Sequence, residues 1–174
     1  MPNPAATRKL ASRQYGVFPS GIAAANLLGF TTQTAGHGEV ATAGFRLPRK
    51  LLGPDTVVHT RRPEAWAGLS EPTAALLDFL RRGGRTSELS PEQTVRRLLT
   101  LLRHSRTFER LLDAAETEPP RVRAMLGALS EAIGKAPHAR ARLRASLNPT
   151  SRYEFGVLRT LPNAARWQAK ASRP

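Results

Sequence analysis

Apolar residues recur along most of this chain at helical spacing, interrupted early by runs with the alternation of strands. Ile22, Ala25 and Leu28, with Leu27 beside them, share one helical face. Ser20 precedes them as a predicted N-cap, because a hydroxyl there accepts from the unpaired amides of the first turn. Gly29 closes the helix where a left-handed residue is wanted. The runs EVATAGF (residues 39–45) and TVVHTR (56–61), bounded by Gly or Pro, predict strands. RQYGVF (13–18) predicts another, and residues 50–52 a short one between the first two. In TVVHTR, Val57 and His59 alternate with Val58 and Thr60, so one face is expected to be buried and the other wet. A crossover helix has no room between these strands, and the expected sheet is small and mainly antiparallel.

From residue 70 onward the period is helical. Leu76, Leu77 and Leu80 point to a core, and Gly83 and Gly84 end that helix. SPEQ at residues 90–93 is a helix start with Ser as cap, Pro at the first position and Gln at the third. Val95, Leu98, Leu99 and Leu102 form its stripe. Phe108, Leu111, Leu112 and Ala115 repeat the spacing, and Val122, Met125, Leu126, Leu129 and Ile133 do so again after Pro119 and Pro120. Over residues 139–147, Leu143 and Leu147 mark an inner side, Arg140 and Arg144 lie one turn apart on a flank, and Asn148 and Pro149 stop the helix. Tyr153, Phe155 and Trp167 bring aromatic bulk to the last segment and are expected to pack. The predicted fold is α+β: a small, mainly antiparallel sheet packed with a multi-helix layer. It forms one domain over residues 13–170, after a disordered lead (1–12) and before a frayed tail (171–174).

Charge changes this picture. The net charge is +14, and it is unevenly spread. Residues 1–63 hold 8 basic and 2 acidic side chains, residues 64–134 hold 10 of each, and residues 135–174 hold 9 and 1. A neutral middle between basic flanks fits contact with a polyanion, DNA or RNA, through phosphates and counterion release. Twenty-three of the 27 basic residues are arginine in an Ala-, Leu-, Gly- and Pro-rich chain, a mixture that GC-biased coding also produces. Arg46, Arg49 and Lys50 lie between the two strands and Arg61 and Arg62 end the second. A hairpin rimmed by these side chains could lie along a phosphate backbone, with Arg140 and Arg144 as a second basic contact. Such binding would be salt-sensitive and weakly sequence-selective.

Chemistry of other kinds finds little support. Without cysteine there is no disulfide, thiolate or Cys-based zinc site. His37, His59, His104 and His138 share no helical face at metal-ligand spacing. His37 in GHGE reads as a polar turn and His59 as a strand residue. No P-loop, GxSxG elbow or paired catalytic carboxylate occurs, and Glu109, Asp113 and Glu116 are a wet helical face. The sequence predicts a non-enzymatic protein with no cofactor, metal, small-molecule substrate or membrane partner. The start lacks a secretory h-region and no run approaches ~18 apolar residues, so a soluble, cytoplasmic protein is expected.

PSGIAAANLLGFTTQ, then EVATAGF, and later EPPRVRAMLGAL and LNPTSRYEFGVLRTLPNAARWQAK, resemble the body of AbiEi-type antitoxins of type IV, abortive-infection toxin–antitoxin systems. The resemblance covers roughly residues 13–170. It implies an antitoxin that opposes a nucleotidyltransferase-like toxin without needing a stable complex with it. Family members pair an N-terminal winged helix that binds operator DNA with a C-terminal α/β antitoxin domain. A winged helix needs roughly 60 residues, so the expectation is that this chain begins at the second domain. Ser20, Gly21, Asn26, Gly29, Thr32 and Gln33 match the family's polar and glycine positions. They form either a surface needed for antitoxin action or a set of local bonds, with Ser20 capping, Asn26 holding a neighbouring loop and the Thr–Gln run pinning backbone. The alternative to an antitoxin is a stand-alone nucleic-acid-binding or transcription-regulatory module using the basic flanks.

Overall fold

A computed structural model describes residues 16–47, 49–106 and 108–171, without the side chains of Arg49 and Leu51. The predicted disordered lead, the first residues of the predicted strand at 13–18, and Arg173 and Pro174 lie outside the described residues. The fold is α+β, and the chain divides into two compact units, Met1–Phe79 and Leu80–Pro174.

The first unit is built on three short strands, β1 (Val17–Pro19), β2 (Glu39–Thr42) and β3 (Val57–His59), in the order β1-β2-β3. β1 and β2 are antiparallel, with Phe18 opposite Ala41. β2 and β3 are parallel, with Val40 opposite Val58. The sheet is therefore mixed, which corrects the mainly antiparallel expectation. The stretch from Ala43 to Thr56 is long enough for a crossover, and residues 50–52 belong to a short helix, α2 (Arg49–Leu52), rather than to a strand. A preceding helix, α1 (Ile22–Leu27), links β1 to β2. The strand predicted to reach Phe45 ends at Thr42, whose hydroxyl accepts from the Gly44 N–H at 3.1 Å and turns the chain out of the sheet.

Alternation along the strands sorts the core. Val17, Val40 and Leu47 cluster with Leu52 and Val58, while Val57 is exposed, as the alternation in TVVHTR implies. Phe18, next along β1, meets the buried Trp66 edge-on at 6.2 Å. Trp66 lies in a 3-10 turn, Glu64–Gly68, that leads to α3 (Glu71–Arg81). In α3, Phe79 stacks on Phe30 at 4.2 Å, fixing the turn after α1. On α1 the buried face is Ala24 and Ala25, and Leu27 is exposed. Gly29 follows with φ 74°, the left-handed stop the sequence predicts.

Helices dominate the second unit. α4 (Pro91–His104) starts on the full capping box: the Gln93 N–H donates to Ser90 Oγ, and the Ser90 N–H donates back to Gln93 Oε1. Such a cap contributes ~1 kcal/mol. Thr94, Val95, Leu98 and Leu102 are its buried stripe. α5 (Phe108–Ala115) buries its predicted face. α6 (Pro120–Ile133) packs against α4, α5 and α7 (Pro137–Ala145), and is buried almost all round from Val122 to Ser130. That is more than a single stripe would require. The predicted packing of the last segment holds. Phe155, Leu158, Leu161 and Trp167 are buried, through 3-10 turns at Gly156–Thr160 and Ala165–Trp167. Trp167 packs against α6 where Gly127 has no side chain, since a Cβ there would come within 2.0 Å of the indole ring.

Candidate nucleic-acid interface

Because β2 and β3 run the same way, the chain leaves both strands at the same end of the sheet. In the predicted hairpin, Arg61 and Arg62 would lie at the opposite end from residues 45–50. The parallel pairing instead brings the exits together: the Arg61 N–H donates to Gly44 O at 3.0 Å, and the Arg62 N–H donates to Thr42 O at 3.0 Å. The result is a basic and aromatic rim. Phe45 is 81% exposed, and the Arg61 guanidinium lies 5.7 Å from its ring centroid. Arg46 is exposed beside it. Arg62 lies half-buried over the Trp66 ring at 5.6 Å, which ties the rim to the core of the unit. Lys50 is exposed on α2 in the crossover itself, while Arg49 contributes backbone to that helix and its side chain lies outside those described.

Arg61 sits at φ 56°, in the left-handed region that disfavours a side chain. Its backbone bond to Gly44 holds it there, so the position of its guanidinium over Phe45 is set by the strand exits rather than by side-chain preference.

The same two strands carry a second polar group. Glu39 Oε1 is 2.6 Å from His59 Nε2, each side chain about a quarter to a third exposed. The parallel register explains the meeting: Glu39 is opposite Val57 and Ala41 opposite His59, so the two side chains share a face two positions apart. The other carboxylate oxygen of Glu39 lies where a Cβ on Gly21 would be. Gly21, at φ 61° and ψ −131°, thus requires glycine for both backbone and space. Its N–H donates to Asp78 Oδ2 at 2.9 Å, and Ser20 Oγ donates to Asp78 Oδ1 at 2.6 Å. Contrary to the sequence expectation, Ser20 therefore does not cap α1. It is buried and binds a carboxylate 58 residues away, while Gly21 occupies the cap position.

The remaining family-motif positions bond locally. Asn26 Nδ2 donates to Thr31 O at 3.3 Å and Gln33 O at 3.2 Å, and the Gln33 N–H donates to Thr31 Oγ1 at 3.0 Å. Asn26, Thr32 and Gln33 are exposed; Ser20 and Gly21 are interior, so the six do not make one surface. His37 is exposed. Among the described residues no three His, Asp or Glu side chains are gathered for a metal.

The predicted basic contacts of the second unit are differently engaged. Arg144 lies 4.0 Å from the Trp167 ring centroid, donates to Arg166 O at 3.0 Å and is 3.9 Å from Glu131 Oε1. Arg140 is half-buried on the same helix, and Arg142 donates to Glu116 at 2.7 Å. Arg144 is thus exposed but already engaged with groups of its own unit. Sequence reasoning missed Phe45 as a site residue because it counted it as the last residue of a strand. The signal was the adjoining Gly44, which ends strands readily.

No family model matches this sequence, and no curated protein does. Among solved structures, the chain is similar to the crystal structure of the RV2827C protein from Mycobacterium tuberculosis, with a TM-score of 0.53 and 21% identity over 89% of this chain. The match spans 63% of that protein's chain. At this identity the likeness shows the fold. Among the described residues no helix is long and apolar enough to cross a membrane.

Proposed function

We propose that this chain is the effector part of an AbiEi-like antitoxin: a non-enzymatic, cytoplasmic regulatory protein that opposes a nucleotidyltransferase-like toxin and whose working surface is the rim formed by Phe45, Arg46, Arg61 and Arg62. The observation that carries the rim is the parallel pairing of β2 with β3, which gathers these side chains at one sheet end. Cationic side chains there suit phosphate oxygens, and their attraction to a polyanion falls with salt. The toxin assignment rests on the resemblance of the PSG block and the C-terminal segment. No stable complex with the toxin is required by this reading, and neither a cofactor nor a small-molecule substrate enters it.

Growth rescue tests it. The toxin gene is expressed inducibly with and without this chain, and viability is followed. The expected result is rescue by the intact chain and loss of rescue by the double variant Arg46→Ala/Arg61→Ala at unchanged protein level. No rescue by a chain shown to be folded would end the antitoxin reading. The second reading, a stand-alone nucleic-acid-binding module, is favoured by the same rim and would then be tested by salt-dependent binding alone.

A further inference from the structure

We propose that Phe45 and Arg61 form a stacking site for an unpaired base, so that the partner of the rim is a single-stranded nucleic acid. This rests on the reading that the rim contacts nucleic acid and narrows it to one form.

Three observations converge. Phe45 is 81% exposed while Phe18, Phe30, Phe79, Phe108 and Phe155 are buried, so its ring contributes little to the core. The Arg61 guanidinium is held against that ring at 5.7 Å by a residue kept at φ 56°. Non-glycine residues persist in that region only where their surroundings impose it, and they cluster at working sites. Lastly, neither strand exit, residues 43–47 or 60–62, carries an Asp or Glu. An aromatic ring beside guanidinium groups offers a base its π-face and the adjoining phosphates their counter-charge. Base pairs in a duplex are stacked on their own neighbours and cannot reach such a ring without being opened. An acidic protein segment would satisfy the arginines but leave the phenyl ring in water.

The experiment uses fluorescence anisotropy at low salt with three probes of about 12 nucleotides, within the range of single-strand site sizes. They are oligothymidylate, an abasic strand of equal length, and a duplex. The intact chain is expected to bind oligothymidylate at least about tenfold more tightly than the abasic strand or the duplex. Phe45→Ala should lose about tenfold or more in affinity for oligothymidylate, the scale of one base–aromatic stack. Its melting temperature should be unchanged, because the ring is outside the core. Phe45→Trp should restore the affinity, and its new exposed indole should be quenched on binding. Equal binding of the abasic strand, or full affinity in Phe45→Ala, overturns the stacking site while leaving the charge-based reading of the rim intact. Tighter binding of the duplex overturns the single-strand assignment. Failure of all three probes to bind removes both this inference and the nucleic-acid role of the rim.

Discussion

Glu131 gathers side chains from the C-terminal segment onto α6, and its loss should weaken the second unit. Its Oε2 accepts from Asn163 Nδ2 at 2.6 Å, Trp167 Nε1 at 3.2 Å and Arg166 at 3.2 Å, and its Oε1 is 3.9 Å from Arg144. In Glu131→Ala, the indole N–H of the buried Trp167 would lose its acceptor, a cost of about 1–3 kcal/mol. Asn163 Nδ2 keeps Ala128 O at 3.0 Å, so it loses one charge-assisted bond and about 1 kcal/mol. Arg166 and Arg144 are 70% and 49% exposed along their side chains, and their ion pairs contribute little through solvent. The expected loss is about 2–4 kcal/mol. Trp167 reports it directly: in a Trp66→Phe background it is the sole tryptophan of the chain, and its emission in a urea titration follows the second unit.

The same residue sets an acid limb. The Asn163 hydrogen bond, above all, holds the Glu131 carboxyl below the usual range, with the Trp167 hydrogen bond and the Arg166 and Arg144 charges adding and burial opposing. A carboxyl lowered in the folded state stabilises it above the unfolded value, about 4.3, and that stability is lost as pH falls through the lower folded value. Glu131→Gln should therefore lose less than Glu131→Ala at pH 7 and show a flatter decline below about pH 4.5. A loss in Glu131→Ala below about 0.5 kcal/mol, or an unchanged acid limb in Glu131→Gln, would refute the account.

Three further outcomes follow from backbone geometry. Gly156→Ala should cost about 3 kcal/mol or more by urea denaturation, because Gly156 sits at φ 58° and a Cβ there would come within 2.9 Å of Gly83 Cα. Gly21→Ala, which puts a methyl group on the Glu39 carboxylate, should cost a similar ~3 kcal/mol and free the His59 ring from Glu39, seen as a changed imidazole shift by NMR. Arg61→Gly should be more stable by about 0.5 kcal/mol, since relief of the left-handed strain outweighs the lost contact with Phe45; a destabilised variant would mean that Arg61 is not strained.

The legible parts of this fold are those whose partners are near in sequence. The SPEQ start of α4 needs only Ser90 and Gln93, three residues apart, and the bonds form as predicted. Gly29 stops α1 for a reason contained in its own φ, and Asn26 holds the loop five and seven residues on. The helical stripes of α4 and α5 were readable because burial follows a period of 3.6. The misread Ser20 shows the limit. A serine before an apolar run offers its hydroxyl to whichever partner is better, and the buried Asp78 carboxylate outcompetes a helix amide.

The sequence by itself therefore determined the long helices, the Ser90 cap and the Gly29 stop, the positive charge and the absence of thiol chemistry. Tertiary structure alone decided the direction of β3 against β2, because a run of alternating residues pairs equally well either way until the crossover is packed. That single choice put Arg61 beside Phe45 and Glu39 beside His59, and no local pattern carries it. The same holds for Gly127 beneath Trp167 and for the donors converging on Glu131. They are brought together from separate segments, and their energies exist only once the chain entropy that kept them apart has been overcome.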